Sequence, residues 1–511
     1  MERALTEETM ATATRVDPSW ISSDPYRHLI DGEVRGDGEI HPVVDPSTGE
    51  EPATWVIATS AEVDDAIAAA RRSFDSGVWA RMSNATRAEV LDAAAARIRA
   101  DVPRLAALES LDTGKAVGGA EIFDLHEAAQ AFSYAAGFAR GLHGDVRRAS
   151  FPPQLLPGGG PDILNLRLPE PAGVVAELLP WNGPLMTGSQ RIAAALAAGC
   201  SIVAKPPEQA VISLTELGRI LLECGLPPGV LNIVLGPGET VGEQLVADPR
   251  VDLVSLTGSV ETGRRVMSVA AANVTPVHLE LGGKAPVIVF ADADLEQAAQ
   301  WAMMAAFVNM GEVCVAGSRL LVERSVYDEV AGSVAAMAAG LPIGDALDRG
   351  TFIGPLINVD HADRVRGFVD RAIGDGTAEM IGGGEVPEGL VSSFVAPAVL
   401  GNVSKGSTLE QTEVFGPVLA ALAFDDEEEA LAIANGTPYG LNATVFTRDV
   451  ERAFRVAQRL DVGEVTINHH FSADMNSGRG EPRKSSGFSR VGIEAYTRTK
   501  SVSLTTSPSL G

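Results

Sequence analysis

From Gly173 onward the chain alternates short β-rich runs with helical segments, and this rhythm constrains its fold more than any other feature. GVVAELL is followed by a helical pattern over 187–198, SIVAK by one over 211–224, VLNIVL by one after Glu239, and VDLVSL by one after Glu261. Parallel neighbours in a sheet need a long crossover, usually a helix, so this spacing predicts a parallel sheet covered by helices. A second series opens with APVIVF at 285–290 and runs into a helix ending near Met310. It resumes with VLAALAF, a helix at 427–434, ATVFT and EVTIN. The fold class that follows is α/β, with two parallel-sheet domains of comparable size.

The stretch before Gly173 reads differently. Residues 1–24 form a loose tail, and 60–139 are mainly helical, with Val63, Ile67, Ala70 and Phe74 at helical spacing. A long Ala- and Leu-rich stretch over 87–111 ends at Thr113-Gly114, while the Gly-, Pro- and Arg-rich segment 142–170 predicts a connection or an extended hairpin.

At 511 residues the chain has room for two or three cores. Its formal charge of −27 argues against nucleic acid or an anionic membrane surface as a partner, because phosphate binding needs a basic face. Three cysteines are too few for a disulfide framework and fit a reducing compartment. The N-terminus carries early acids and no apolar core, so it does not read as a secretory signal. The longest apolar run, 192–204, is interrupted by Gly199 and Ser201 and is too short to span a membrane. The cytoplasm is the expected location. The histidines are dispersed, and the adjacent pair His469-His470 points to opposite sides of an extended segment, so no metal site is expected.

Chemistry is most readable around Cys314, in FVNMGEVCVAGSR. A lone Cys among valines is usually a buried hydrophobe. Here, however, the helical run stops at Gly311 and the thiol lies just beyond a turn, where dipoles or a base can favour the thiolate. Glu280, in HLELGGKAP, sits between Leu279 and Leu281 before Gly282-Gly283, which can turn it into a cleft. A carboxyl among leucines tends toward a raised pKa, which suits a general base. Asn182, in LLPWNGPL, follows a strand between two prolines and offers an amide to a developing oxyanion. Lys205 and Glu208 end the strand SIVAK, and an acid there can bind ribose hydroxyls and repel a 2′-phosphate. LTGSVETG places Thr257, Gly258, Ser259 and Gly263 at a strand-to-helix turn whose free N–H groups can hold a pyrophosphate.

Taken in order, PWNGPL, AKPPEQ, LTGSVETG, LELGGK, the Gly311/Cys314 segment and EVFGPV at 413–418 closely resemble the aldehyde dehydrogenase superfamily. The likeness runs from HLIDGEV near the N-terminus to YTRTKSV near the C-terminus. It implies that Cys314 attacks a small-molecule aldehyde, that Asn182 and the Cys314 N–H stabilise the oxyanion, and that Glu280 activates water against a thioester. It also implies NAD as cofactor, with NADP less favoured because of Glu208. Lys205 and Glu208 would hold the adenosine ribose, Gly258 and Ser259 the pyrophosphate, and Glu413 and Phe415 the nicotinamide end. Trp181, Gly238 and Leu281 complete the implied cofactor contacts.

The resemblance further implies a Rossmann-like NAD-binding domain over 1–142 and 166–282 and a catalytic domain over 283–485. A small β oligomerisation element would combine 143–165 with 486–511, giving a homodimer or homotetramer. Several positions depart from the family pattern. Glu312 stands where Gln is usual, two before the nucleophile, and an acid there would oppose a thiolate unless it points away. Gly183, Thr187, Gly188 and Gln190 suggest a wider or more polar substrate tunnel. RGEPRKSSG at 479–487 and Val491 replace a family loop and an acid of a proton relay. The alternatives are a CoA-acylating semialdehyde dehydrogenase, which commonly lacks the base, and a catalytically idle relative.

Overall fold

A computed structural model describes residues 17–149, 155, 163–471, 480–488 and 492–505; the rest of the expected tail, 1–16, and Val491 lie outside them. The strand–helix alternation resolves into two sheets. The first has eight strands, in the order Glu33–Arg35, His28–Ile30, Leu231–Ile233, Ser201–Lys205, Val174–Leu178, Leu253–Thr257, Val277–Glu280 and Gly487–Phe488. Its five inner strands run parallel, and the strands on either side of them run antiparallel. Val174–Leu178 and Ser201–Lys205 are buried along their whole length, as expected of strands covered on both faces. Successive residues feed opposite cores. Val175, Ile202 and Leu253 join one cluster with Trp79, Phe132 and Leu196, while Val174, Val203 and Val254 join another with Val63 and Ile67.

The second sheet has seven strands, in the order Glu379–Gly383, Ala398–Gly401, Val418–Phe424, Arg319–Glu323, Pro286–Val289, Asn442–Phe446 and Glu464–Ile467. All pair in parallel except Glu379–Gly383 at one edge. Its own core gathers Phe307, Phe424 and Phe446. The α/β reading therefore holds for both halves. Among the described residues no helix is long and apolar enough to cross a membrane.

Two local features refine the sequence reading. The Ala-rich stretch at 87–111 is two helices, Asn84–Ala100 and Val102–Thr113, broken at Asp101. Pro103 sits in the first turn of the second helix, where its missing N–H costs nothing, but it could not continue the first. The described parts of 142–170, where a connection or an extended hairpin was expected, are two antiparallel strands. Asp145–Ala149 pairs with Ile163–Pro171, which pairs in turn with Thr497–Thr505 to form a three-stranded antiparallel sheet.

The order of the parallel strands reverses about Val174–Leu178. Ser201–Lys205 and Leu231–Ile233 follow on one side, and Leu253–Thr257 and Val277–Glu280 on the other. In open α/β sheets the crevice at such a reversal, beyond the carboxyl ends of the strands, is the favoured place for a ligand. Leu178, Lys205, Thr257 and Glu280 all end strands there.

Candidate active site

A cavity of about 1260 Å³ opens over these strand ends and reaches the loops of the second sheet. It exceeds the roughly 300–1,000 Å³ of a typical single-ligand pocket, so it has room for a dinucleotide and a substrate together. Of the fourteen residues read from the sequence as catalytic or cofactor-binding, all but Gly263 line it. They divide between two ends.

At the first end the geometry is built on backbone turns. Lys205 is buried, and its ammonium donates to the carbonyls of Pro206 and Gly236, both at 2.9 Å. Burial pulls its pKa down to about 8, while Glu208 pulls the other way. The Glu208 carboxylate accepts the Gly238 N–H at 2.9 Å, which ties the acid to the next turn. A Cβ on Gly238 would meet nothing within 4 Å, leaving this rim open to a ligand. Ser259 caps the helix Val260–Ala270 by accepting the Thr262 N–H at 3.1 Å, so the helix N-terminus faces the cavity beside Gly258. Gly263 has a different job from the one expected. It lies inside that helix, where a Cβ would sit 2.6 Å from Leu281 Cδ1, so it serves close packing.

Between the two ends stand Trp181, Glu413 and Phe415. Phe415 holds a left-handed backbone at φ 58°, strained for an aromatic residue, and its carbonyl accepts the His361 Nε2–H at 2.6 Å. Trp181 meets the rings of Phe415 and His361 edge-on at 5.3 and 5.7 Å. Glu413 accepts the Gly283 N–H at 2.9 Å, and burial pushes its carboxyl up to about 7. Arg364, also at the cavity, donates to the carbonyls of Val414 and Glu413 and so pins that segment.

The second end holds Cys314. The helix Leu295–Phe307 gives way to a turn in which Asn309, Met310 and Gly311 are all left-handed, at φ 49°, 53° and 70°. Two consecutive non-glycine residues in that region cost energy that the surroundings must hold. Asn309 does so by donating its amide to the carbonyls of Asn182 (3.1 Å) and Glu312 (3.2 Å). The Asn182 amide donates to the same Glu312 carbonyl at 2.9 Å. Asn182 and the Cys314 loop are thereby held as one unit. Asn182 is set from the other side too. The helix Pro184–Ala198 begins two residues later, and its Leu185 N–H donates to the buried carboxylate of Glu109 at 3.1 Å.

Glu280 ends its strand facing the same cavity. Arg191 approaches it, with Nη2 3.9 Å from Glu280 Oε1. Gly282 and Gly283 make the junction possible. A Cβ on Gly283 would lie 2.5 Å from the Cys314 carbonyl oxygen, and one on Gly282 would collide with the Glu413 carboxylate.

Glu312 turns away from the cavity. It is fully buried and accepts the Ile357 N–H at 3.1 Å, outside the residues that line the cavity. Burial raises its pKa well above the usual carboxylate range, against the pull of the Ile357 N–H and Lys115. Of the four positions expected to make a wider or more polar tunnel, the two glycines lie outside the cavity lining. Gly188 is buried, and a Cβ there would collide with Leu214; the space at Gly183 is bordered by Met186 and Asp124. Thr187 and Gln190 do line the cavity, with Val313, Val315 and Phe471. His470 joins them as a neutral imidazole, held by Thr444 and the Val315 carbonyl, each at 2.8 Å, its pKa lowered to about 4 by burial. His469 lies across the chain against Trp301.

Sequence reasoning passed over Glu109, Arg191, Asn309, His361 and Arg364. One signal was present: Thr187 and Arg191 are spaced i, i+4, so a helix that turns Thr187 to the cavity turns Arg191 there as well.

Comparison with known proteins bears on the whole chain. Residues 34–502 match the model of the aldehyde dehydrogenase family. The betaine aldehyde dehydrogenase of Bacillus subtilis (strain 168) is 38% identical over 507 residues, covering 98% of each chain. The crystal structure of betaine aldehyde dehydrogenase from Staphylococcus aureus in complex with NAD+ superposes with a TM-score of 0.91 at 35% identity, covering 96% of this chain and 97% of that one. An NAD-dependent aldehyde dehydrogenase from Sinorhizobium meliloti gives a TM-score of 0.91 at 36% identity, covering 97% and 98%. Two α/β sheets, a dinucleotide-sized crevice at the strand reversal and a cysteine loop braced by an asparagine amide accompany that likeness; the chain belongs to the aldehyde dehydrogenase family.

Proposed function

We propose that Cys314, Asn182 and Glu280 carry out the NAD-dependent oxidation of an aldehyde to a carboxylic acid. The observation that carries this reading is the convergence of all three on one cavity with the cofactor cradle. The reaction class is that of the family: an aldehyde is oxidised through a cysteine adduct, with NAD as acceptor.

Cys314 Sγ, as thiolate, adds to the carbonyl carbon and forms a thiohemiacetal. The second Asn182 amide hydrogen and the Cys314 N–H stabilise the oxyanion. NAD, when bound, takes the hydride from that carbon, which leaves a thioester on the sulfur. Glu280 then removes a proton from water as its oxygen bonds to the acyl carbon; the C–S bond breaks, the acid leaves and the thiolate returns. Splitting the oxidation from the hydrolysis in this way gives two easier steps.

NAD fits the residues present. Glu208, braced by the Gly238 N–H, offers an acid for the ribose, the helix N-terminus at Ser259 offers N–H groups for the pyrophosphate, and Trp181, Glu413 and Phe415 offer a platform for the nicotinamide. The fixed acid at Glu208 favours NAD over NADP. We assign NAD binding to 1–142 and 166–282, catalysis to 283–485, and subunit contact to 143–165 with 486–511. Exposed Val146, Leu168, Val502 and Leu504 on the three-stranded sheet support a homodimer or homotetramer, and a cytoplasmic location suits the free cysteines.

The test is NADH formation across an aldehyde panel that includes betaine aldehyde, with and without CoA. Turnover independent of CoA supports hydrolysis by Glu280. CoA dependence would assign the chain to the acylating branch, and silence with every aldehyde would leave it a binding protein.

A further inference from the structure

Beneath the helix Pro184–Ala198 the first sheet carries a row of polar side chains instead of the apolar residues that fill the rest of that face. The pairing register shows why they line up. Glu177 lies opposite Ser255, Ser255 opposite His278, and Thr257 opposite Glu280. Side chains alternate along a strand, so these five residues face one side, the side covered by that helix and by the turn Ile493–Tyr496. The outer end of the row is Glu280, at the cavity. The inner end is Glu177, 1% exposed.

Arg191 reaches down from the helix into this row. Its Nη2 lies 3.9 Å from Glu280 Oε1 and 3.4 Å from Thr257 Oγ1. Burial opposes its charge, while Tyr496, Glu280 and Glu177 all favour it electrostatically. The Tyr496 hydroxyl closes the row from the C-terminal turn, 3.4 Å from Ser255 Oγ, with its ring edge-on to His278. One buried cation therefore serves two carboxyls, one at the cavity and one sealed behind it.

We propose that Glu177 tunes the basicity of Glu280 through Arg191, as a positioning residue that never touches water or substrate. The inference rests on the reading of Glu280 as the base. With Glu177 ionised, the guanidinium is partly neutralised from within and Glu280 keeps its affinity for a proton. With Glu177 neutral, the whole charge bears on Glu280, holds it as carboxylate and makes it a weaker acceptor.

The other titratable groups around Glu177 do not compete for this role. Burial raises the Tyr496 phenol far above its usual range and the Cys200 thiol, which donates to the Tyr496 carbonyl, to about 12. Both stay neutral. His278 lies one strand further along the row, beside Tyr496. Burial pushes Glu177 itself up to about 7, against the pull of Arg191 and the hydroxyls of Tyr496 and Ser255, so its charge changes near neutral pH.

The experiment follows acid release from the acyl-enzyme in single turnovers across pH, with full-length enzyme, NAD and an accepted aldehyde. In Glu177→Gln the rising limb of hydrolysis should move about one pH unit to the acid side, and its plateau should fall about threefold to tenfold, with the first NADH burst retained. Arg191→Met should move the limb to the alkaline side. Adding Glu177→Gln to Arg191→Met should move it no further. An unmoved limb in Glu177→Gln, or an equal shift in the Arg191→Met background, overturns the proposal. If Glu177→Gln does not fold, failure of Arg191→Met to shift the limb does the same. Glu280→Gln separates the two readings: if it leaves hydrolysis intact, the base is misassigned, whereas slow hydrolysis there with an unmoved Glu177→Gln limb sinks only the tuning role.

Discussion

The two ends of the cavity are made in different ways. The dinucleotide end is largely backbone: a helix N-terminus, a glycine with open space before it, and side chains such as Ser259 and Lys205 already engaged with their own main chain. The nucleophile end depends on side chains holding a strained turn, with Asn309 and Asn182 both donating to the Glu312 carbonyl. A cradle of main-chain donors tolerates single changes because no one side chain carries it. A constellation of side chains does not. The contrast predicts that substitutions at the second end will cost far more than those at the first.

The largest effect belongs to Cys314→Ala. It should lower NADH formation at least about 10³-fold while calorimetry still detects NAD binding. Measurable turnover in that variant would remove the covalent route altogether. Asn182→Ala comes next, with kcat down about 10²–10³-fold, as for loss of a single oxyanion donor. Part of that loss should reflect a loosened loop, so Asn309→Ala should reproduce a share of it although Asn309 does not line the cavity. If Asn309→Ala is silent, the two asparagines do not act as one unit. At the other end, Glu208→Gln should leave kcat with NAD nearly unchanged and improve kcat/KM with NADP about tenfold, since one repulsive charge is removed. An unaltered cofactor preference would mean that another residue reads the ribose.

The smallest effect on rate, within about threefold, should come from Glu312→Gln, because the side chain is buried outside the cavity lining and burial disfavours its charged form. Its signature is in stability. The folded-state pKa of Glu312 lies above the unfolded value, so folding takes up a proton as pH rises past about 4.5, and the acid costs stability increasingly until its folded pKa is reached. The variant should therefore gain in Tm more at pH 8 than at pH 5. Equal gains at both would mean that Glu312 is ionised in the native state.

What the sequence made legible follows the same division. Cys314, Glu280 and Asn182 sit in compact motifs, and each strand of the parallel sheets announces itself through β-rich runs between helices. Arg191, His361 and Glu109 escaped because each acts on a partner more than fifty residues away. Beyond the spacing of Arg191 from Thr187, nothing local distinguishes such residues from ones on a solvated face. The backbone conformation of Met310 and Phe415 escaped for another reason. Left-handed backbone is normally inferred from glycine, and here it is imposed by tertiary contacts on residues that resist it. Glycine also misled in the opposite sense. Gly188 and Gly263 suggested a wide tunnel and a phosphate turn, whereas both exist to let Leu214 and Leu281 pack close.

The pair Gly282-Gly283 has a consequence for how such a protein can change. Its two missing side chains leave the space in which the Cys314 carbonyl and the Glu413 carboxylate rest against the end of the Glu280 strand. Three loops drawn from two sheets thus share a single joint. A mutation that shifts the end of the Glu280 strand is therefore expected to shift the Cys314 loop and Glu413 with it. Diversification of substrate range is channelled elsewhere, to helix positions such as Thr187 and Gln190, which face the cavity without touching that joint.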